Sequence, residues 1–77
     1  MNYAPLKAMH PIKAYCETHG ITQSEFATRV GLSAPFVSLV IRGVEKLGRE
    51  AAEKIVDKTA GEITFDALFR WRPEAAA

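Results

Sequence analysis

Cysteine is nearly missing from this chain. The single Cys16 cannot form an internal disulfide, so a disulfide-stapled scaffold is excluded and a reducing compartment suits the sequence. Long apolar runs are missing too. No stretch approaches the roughly 18 residues needed to cross a bilayer. Nothing at the N-terminus reads as a signal peptide, so a cytoplasmic location is expected and no membrane partner. Charge of one sign is also scarce: 10 Lys and Arg stand against 9 Asp and Glu, a net +1 that by itself says little about a polyanionic partner. Repeats and low-complexity tracts are absent, and no segment reads convincingly as a strand. The ingredients of catalysis are thin. His10, Cys16 and His19 do not have zinc-ligand spacing, because a closed site needs four ligands and usually more cysteine. No Ser/His/Asp set, paired-carboxylate site or phosphate-cradling glycine loop is recognisable. No enzyme, metal or cofactor is expected.

What remains is one small domain of 77 residues, ordinary in its 48% apolar and 25% charged content. Its core must be modest, since a chain this short buries only about 60% of its unfolded surface. The chain is organised around Thr22 to Gly43. Thr22 and Glu25 have the spacing of a capping box. Phe26, Ala27 and Val30 then recur at three- and four-residue intervals, which marks one buried helix face. Gly31 ends that helix in a conformation that is cheapest without a Cβ. Leu32 fills the turn, Ser33 can cap a second helix and Pro35 suits its first turn. Val37, Val40 and Ile41 form the second helix's inner stripe, and Gly43 closes it. At about 100° per residue its opposite face carries Pro35, Ser38, Leu39 and Arg42, with Ala34 and Phe36 on the flanks. Two short helices joined by a glycine turn are the helix-turn-helix plan. Ala27 is its diagnostic residue, because a steep crossing behind a tight turn leaves room only for a small side chain.

The rest of the chain reads as three more helices, giving an all-α domain of about five. Residues 1–9 form an N-terminal arm. His10 and Pro11 start a first helix whose inner stripe is Ile12, Tyr15, Cys16 and His19, stopped by Gly20. Residues 43–48 form a loop in which Val44 and Leu47 are expected to plug the core. A fourth helix over about 49–59 buries Ala51, Ala52, Ile55, Val56 and Thr59, with Gly61 after it. Thr64 can cap a last helix over about 65–70. The 63–77 element is unusually apolar, with Phe65, Leu68, Phe69 and Trp71. Phe65, Phe69 and Trp71 are therefore candidates for a dimer contact.

Charge is uneven along the chain. Residues 1–49 sum to +3 and residues 50–77 to −2, so the helix-turn-helix lies in the basic half. That bias suits a surface facing phosphates. Ser38 is the first candidate base reader, and Arg42 can reach a phosphate or a guanine edge. Ala34, Pro35 and Leu39 can meet thymine methyl groups. Ser33 lies at the helix start beside them. Phe36 can pack beside the core or touch a sugar or base. Gln23 opens the first helix of the pair, where a side-chain amide and free N–H groups can clasp a phosphate. Arg49, with Arg29 and Lys46, is a further candidate phosphate contact.

Several of these residues carry a resemblance to a known family. They are Gln23, Ala27, Gly31-Leu32-Ser33, Ala34-Pro35, Val37-Ser38, Ile41-Arg42-Gly43, the run Lys58 to Thr64, and Arg72-Pro73-Glu74. Over roughly residues 11–74 the chain resembles the small Cro-like regulators of prophages, in particular the YdaS-type group. It departs from that group's pattern at Phe36, where a small polar residue is usual, and at Trp71. The resemblance implies a lambda-repressor-like domain, bacterial or phage-encoded, that binds duplex DNA sequence-specifically and represses transcription. It also allows an antitoxin that regulates its own promoter. The rival reading, an antitoxin or adaptor module whose main partner is a protein such as a toxin, is motivated by the apolar end from Phe65 to Trp71. One recognition helix reads few base pairs, so a homodimer on an inverted-repeat operator is expected, paired through residues 63–72.

Overall fold

The computed structural model describes residues 9–71. The N-terminal arm and the Arg72-Pro73-Glu74 ending lie outside the described residues. Within them the chain is all-helical, with α1 Pro11–His19, α2 Gln23–Val30, α3 Ala34–Ile41, α4 Arg49–Lys58 and α5 Phe65–Arg70. These are the five helices that periodicity and capping signals predict.

Each start has a physical reason. The His10 ring caps α1, its Nδ1 accepting the Ile12 N–H at 3.1 Å. Thr22 and Glu25 form a complete capping box: the Glu25 N–H reaches the Thr22 hydroxyl at 3.0 Å, and the Thr22 N–H reaches the Glu25 carboxylate at 2.9 Å. That backbone hydrogen bond from Thr22 holds the Glu25 carboxyl below its usual range. Ser33 and Thr64 cap α3 and α5 in the same way. Only α4 starts without a side-chain cap.

The ends are as well defined. At α2 the Gly31 backbone takes φ 78°, the Gly31 N–H bonds the Thr28 carbonyl, and the Leu32 N–H bonds that of Ala27 at 2.9 Å. A Cβ on Gly31 would meet nothing within 4 Å, so glycine is needed there for its backbone and not for space. The end of α4 is built the same way, but with Ala60 in the left-handed position at φ 54°.

The core is assembled from all five helices and one bend. Ile12 and Cys16 come from α1, Phe26, Ala27 and Val30 from α2, and Val37 and Val40 from α3. Ala52 and Ile55 come from α4, Leu68 from α5, and Ile63 from the bend between α4 and α5. Ala27 is 1% exposed, as expected of a small residue trapped where two helices cross. Cys16 is a buried core thiol whose pKa is raised by burial and by the nearby Glu17 and Glu25. Two polar residues, His10 and Thr59, are buried among the described residues, and the Thr59 hydroxyl is fully used. It donates to the Ile55 carbonyl at 2.8 Å and accepts the Ile63 N–H at 3.2 Å. That pair of bonds locks Ile63 into the core at a bend.

Two expectations are corrected. Val44 does not plug the core: it is 66% exposed. Gly43 takes φ 79°, and the N–H groups of Val44 and Glu45 both turn back onto the Leu39 carbonyl. The chain therefore folds over the α3 end with Val44 outside, and Leu47 alone packs inward. His19 does not belong to the inner stripe of α1. It lies at the surface beside Tyr15, with ring centroids 4.2 Å apart, and its Nε2 meets the Glu62 carboxylate at 2.7 Å.

Candidate nucleic-acid interface

The candidate surface begins with what the core takes from α3. Val37 and Val40 are buried, and Ala34, Phe36 and Ile41 pack partly against the same cluster. Five of the eight residues are thus committed inward. The residues left on the outer side are Pro35, Ser38 and Leu39, with Arg42 at the C-cap. Pro35 and Arg42 are exposed, while Ser38 and Leu39 are half-buried. Leu39 is not among the residues packed on the core. The sequence-predicted outer face is therefore the face the fold leaves open.

Several candidates differ in how free they are. The Ser33 hydroxyl is occupied as an acceptor by the Phe36 N–H at 3.2 Å, so it retains only its own O–H to offer. Phe36 is anchored on the core cluster and exposes only its outer part. Ala34 is likewise turned partly inward. The Ser38 hydroxyl, the Arg42 guanidinium and the Gln23 amide make no hydrogen bond or ion pair among the described residues. Gln23 is the first residue of α2, and the capping box there uses the Glu25 N–H. The N–H groups of Gln23 and Ser24, in the same turn, have no partner within the helix. The amide and these two N–H groups lie at the positive end of the helix dipole, which they share with the Glu25 carboxylate of the capping box.

Arg49 stands apart from this group. It opens α4, its side chain is 89% exposed, and its Nε approaches the Glu53 carboxylate one turn on at 3.5 Å. It lines a surface depression of about 330 Å³ with Phe65 and Phe69. The fold thus brings Arg49 to the aromatic surface of α5.

That aromatic surface is only partly what the sequence suggests. Phe65 and Phe69 are 42% and 45% exposed, one turn apart on α5, while Leu68 is buried. Trp71 is spent within the fold. It packs edge-on against the His10 ring, with centroids 4.8 Å apart, and is half-buried. His10 itself is buried, and burial pushes its pKa down to about 4. The His10–Trp71 contact joins the start of α1 to the end of α5. Sequence reasoning missed it, as it missed the His19–Glu62 contact, because both pair residues far apart in the chain. A histidine directly before the Pro11 of a helix start was the only signal, since a ring nitrogen there can serve as a cap.

Among the described residues no three His, Cys, Asp or Glu side chains converge as metal ligands, and no helix is long and apolar enough to cross a membrane. No protein-family model matches the chain, and neither curated proteins nor solved structures contain a significant match to it.

Proposed function

We propose that this chain is a sequence-specific duplex-DNA-binding regulator of transcription, of the Cro-like repressor kind that its sequence resembles. One observation carries the reading: a capped and tightly closed helix-turn-helix leaves the outer face of α3 open, with its polar tips uncommitted. An α-helix with its side chains is about 10–12 Å across, so a helix with an open outer face such as α3 fits the roughly 12 Å wide major groove of B-DNA. In this reading α3 enters the groove. The N-terminus of α2, with Gln23, sits on a phosphate, and Arg42 holds the backbone or a base at the far end. Ser33 offers its O–H to the backbone. Arg29 and Lys46 add cations from the same basic half.

Two copies would bind an inverted repeat with half-sites about 34 Å apart. The exposed Phe65 and Phe69, with Arg49 beside them, are the surface we assign to pairing. Trp71 acts indirectly there, by holding the end of α5 against His10. The second reading is a module whose main partner is a protein such as a toxin, and it rests on the same two exposed rings.

Salt separates the readings. If a dimer makes about six phosphate contacts, log K against log salt falls with a slope near −5. A flat dependence, or no duplex binding at low salt, contradicts the DNA reading and leaves the protein-partner reading standing.

A further inference from the structure

The outer face of α3 is unusual in what it cannot do. Between Ala34 and Ile41 the only polar side chain is Ser38. No amide is present to grip the N6 and N7 of adenine, and no carboxylate to accept from the N4 of cytosine. No guanidinium or ammonium lies within the helix to take the O6 and N7 of guanine. The Ser33 hydroxyl at its start is engaged by the Phe36 N–H. Arg42 stands at the C-cap, beyond the middle of the face. The centre of the surface is therefore two apolar side chains, Pro35 and Leu39, with the Ser38 hydroxyl between them. A hydroxyl donates or accepts and does not choose strongly among bases.

Apolar atoms in the major groove have one strongly base-specific target, the C5 methyl of thymine. Leu39 is suited to it. It is half-buried yet is not among the residues packed on the core, so its exposed carbons are not needed by the core of the described residues and are open to a partner. Its backbone is held rigid, because the Leu39 carbonyl accepts both the Val44 N–H at 3.0 Å and the Glu45 N–H at 3.2 Å. Pro35 is exposed, has a ring with almost no freedom to lose, and lies one turn before Leu39 on the same side. Residues four apart on a helix face have Cβ atoms about 5–6 Å apart. Base pairs rise about 3.4 Å per step, so the two side chains span at most two steps.

We infer that this protein reads DNA chiefly through thymine methyl groups, with Leu39 and Pro35 each facing a thymine and the two thymines within two base-pair steps of one another. This rests on the DNA-binding reading and names the class of site that reading takes: a thymine-bearing half-site, with Ser38 adjusting to the base between and Arg42 fixing one end. Burying one methyl strengthens binding roughly three- to fourfold, and a two-fold dimer doubles each contact.

The test uses the full chain and duplexes selected for binding from a random pool. Each selected duplex is then remade with deoxyuridine for every thymine. Uracil keeps all the hydrogen-bonding groups and loses only the methyl. The expected result is selected sites with thymine in the core of each half-site, and a loss of tenfold or more on going to deoxyuridine. Leu39→Ala, which removes no core contact, should shrink that ratio by at least threefold while the helical circular-dichroism signal stays unchanged. Restoring a methyl as 5-methylcytosine at a position where cytosine weakens binding should recover part of the loss. Selected duplexes that bind equally well with thymine and deoxyuridine overturn the methyl reading and leave DNA binding intact. A thymine-to-deoxyuridine ratio unchanged in Leu39→Ala overturns the assignment to this face. Failure to select any duplex overturns the DNA-binding reading, and the inference with it.

Discussion

Helices α3 and α5 are both short, both capped by a hydroxyl residue, and both buried on one side only. Their open sides are built oppositely. On α3 the cation Arg42 and the hydroxyl of Ser38 have no partner among the described residues, and the apolar content is one proline and one half-buried leucine. On α5 the charges are already spent on each other: the Arg70 Nε meets the Asp66 carboxylate at 3.0 Å. Beside that pair two phenylalanines stand exposed. Arg49, next to them, likewise has Glu53 in reach. Surface ion pairs of this sort contribute little stability. Their effect is to cancel local charge, which leaves an apolar patch with no net pull on an anion. The difference teaches which partner each face can take. A face with unspent polar tips suits a polyanion, and a neutralised face with large exposed rings suits another apolar surface.

The largest expected effect comes from acid, and it falls on the C-terminal side of the comparison. His10 titrates near 4 in the folded chain and near its ordinary 6.5 when unfolded. The folded state thus refuses a proton that the unfolded state accepts. The stability this group supports is complete above about pH 6.5 and is lost as pH falls through the window to 4. The total is about 3 kcal/mol at 1.36 kcal/mol per unit. His10→Asn keeps a capping side chain and should flatten that slope. Denaturant melts of both proteins from pH 7 to 4 measure it, and parallel curves would contradict the role given to His10.

Next comes the crossing behind α3. Ala27→Leu should overpack it and cost about 2–3 kcal/mol, near the upper end for such changes because Ala27 is 1% exposed. DNA affinity should fall with stability, while the α5 surface keeps its local structure. Normal melting together with normal binding would mean that α2 and α3 are not packed as described. Smaller again is Thr59→Val, which keeps the shape but removes the acceptor for the buried Ile63 N–H. A loss of about 1–2 kcal/mol in the same melts is expected, with no change in DNA specificity.

The smallest effect is on recognition itself. Ser38→Ala should relax preference at one base pair by roughly 1 kcal/mol and leave stability unchanged. Phe69→Ser should leave base preference untouched and reduce self-association. Binding to the operator and to single-base variants of it separates the two. Equal losses on all duplexes for Ser38→Ala would return Ser38 to plain surface.

The helices were legible in the sequence because their signals are local. Thr22 with Glu25, Ser33 with Pro35, and Gly20 and Gly31 each act within one turn, and all four do in the structure what they do elsewhere. The inward stripe of α3 was legible for the same reason, so its outer face followed by subtraction. The failures were tertiary. Val44 has the right side chain to plug a core, but the reversal at Gly43 carries it outside. The contact between Trp71 and His10, 61 positions apart in the chain, was likewise not foreseen. Periodicity cannot weigh a residue's chance of meeting a partner on another element. Arg49 is the instructive middle case. Its exposure was foreseeable, but its placement beside Phe65 and Phe69 depends on how α4 docks against α5.

The two open faces are expected to take different partners. Amide chemical shifts followed during titration with a selected duplex test this most directly. Gln23, Ser24 and the residues from Ser33 to Arg42 should shift first and in proportion to bound duplex. Phe65 to Arg70 should move only as a second copy arrives on the same duplex. Early, saturating shifts in α5 with α3 unmoved would contradict it.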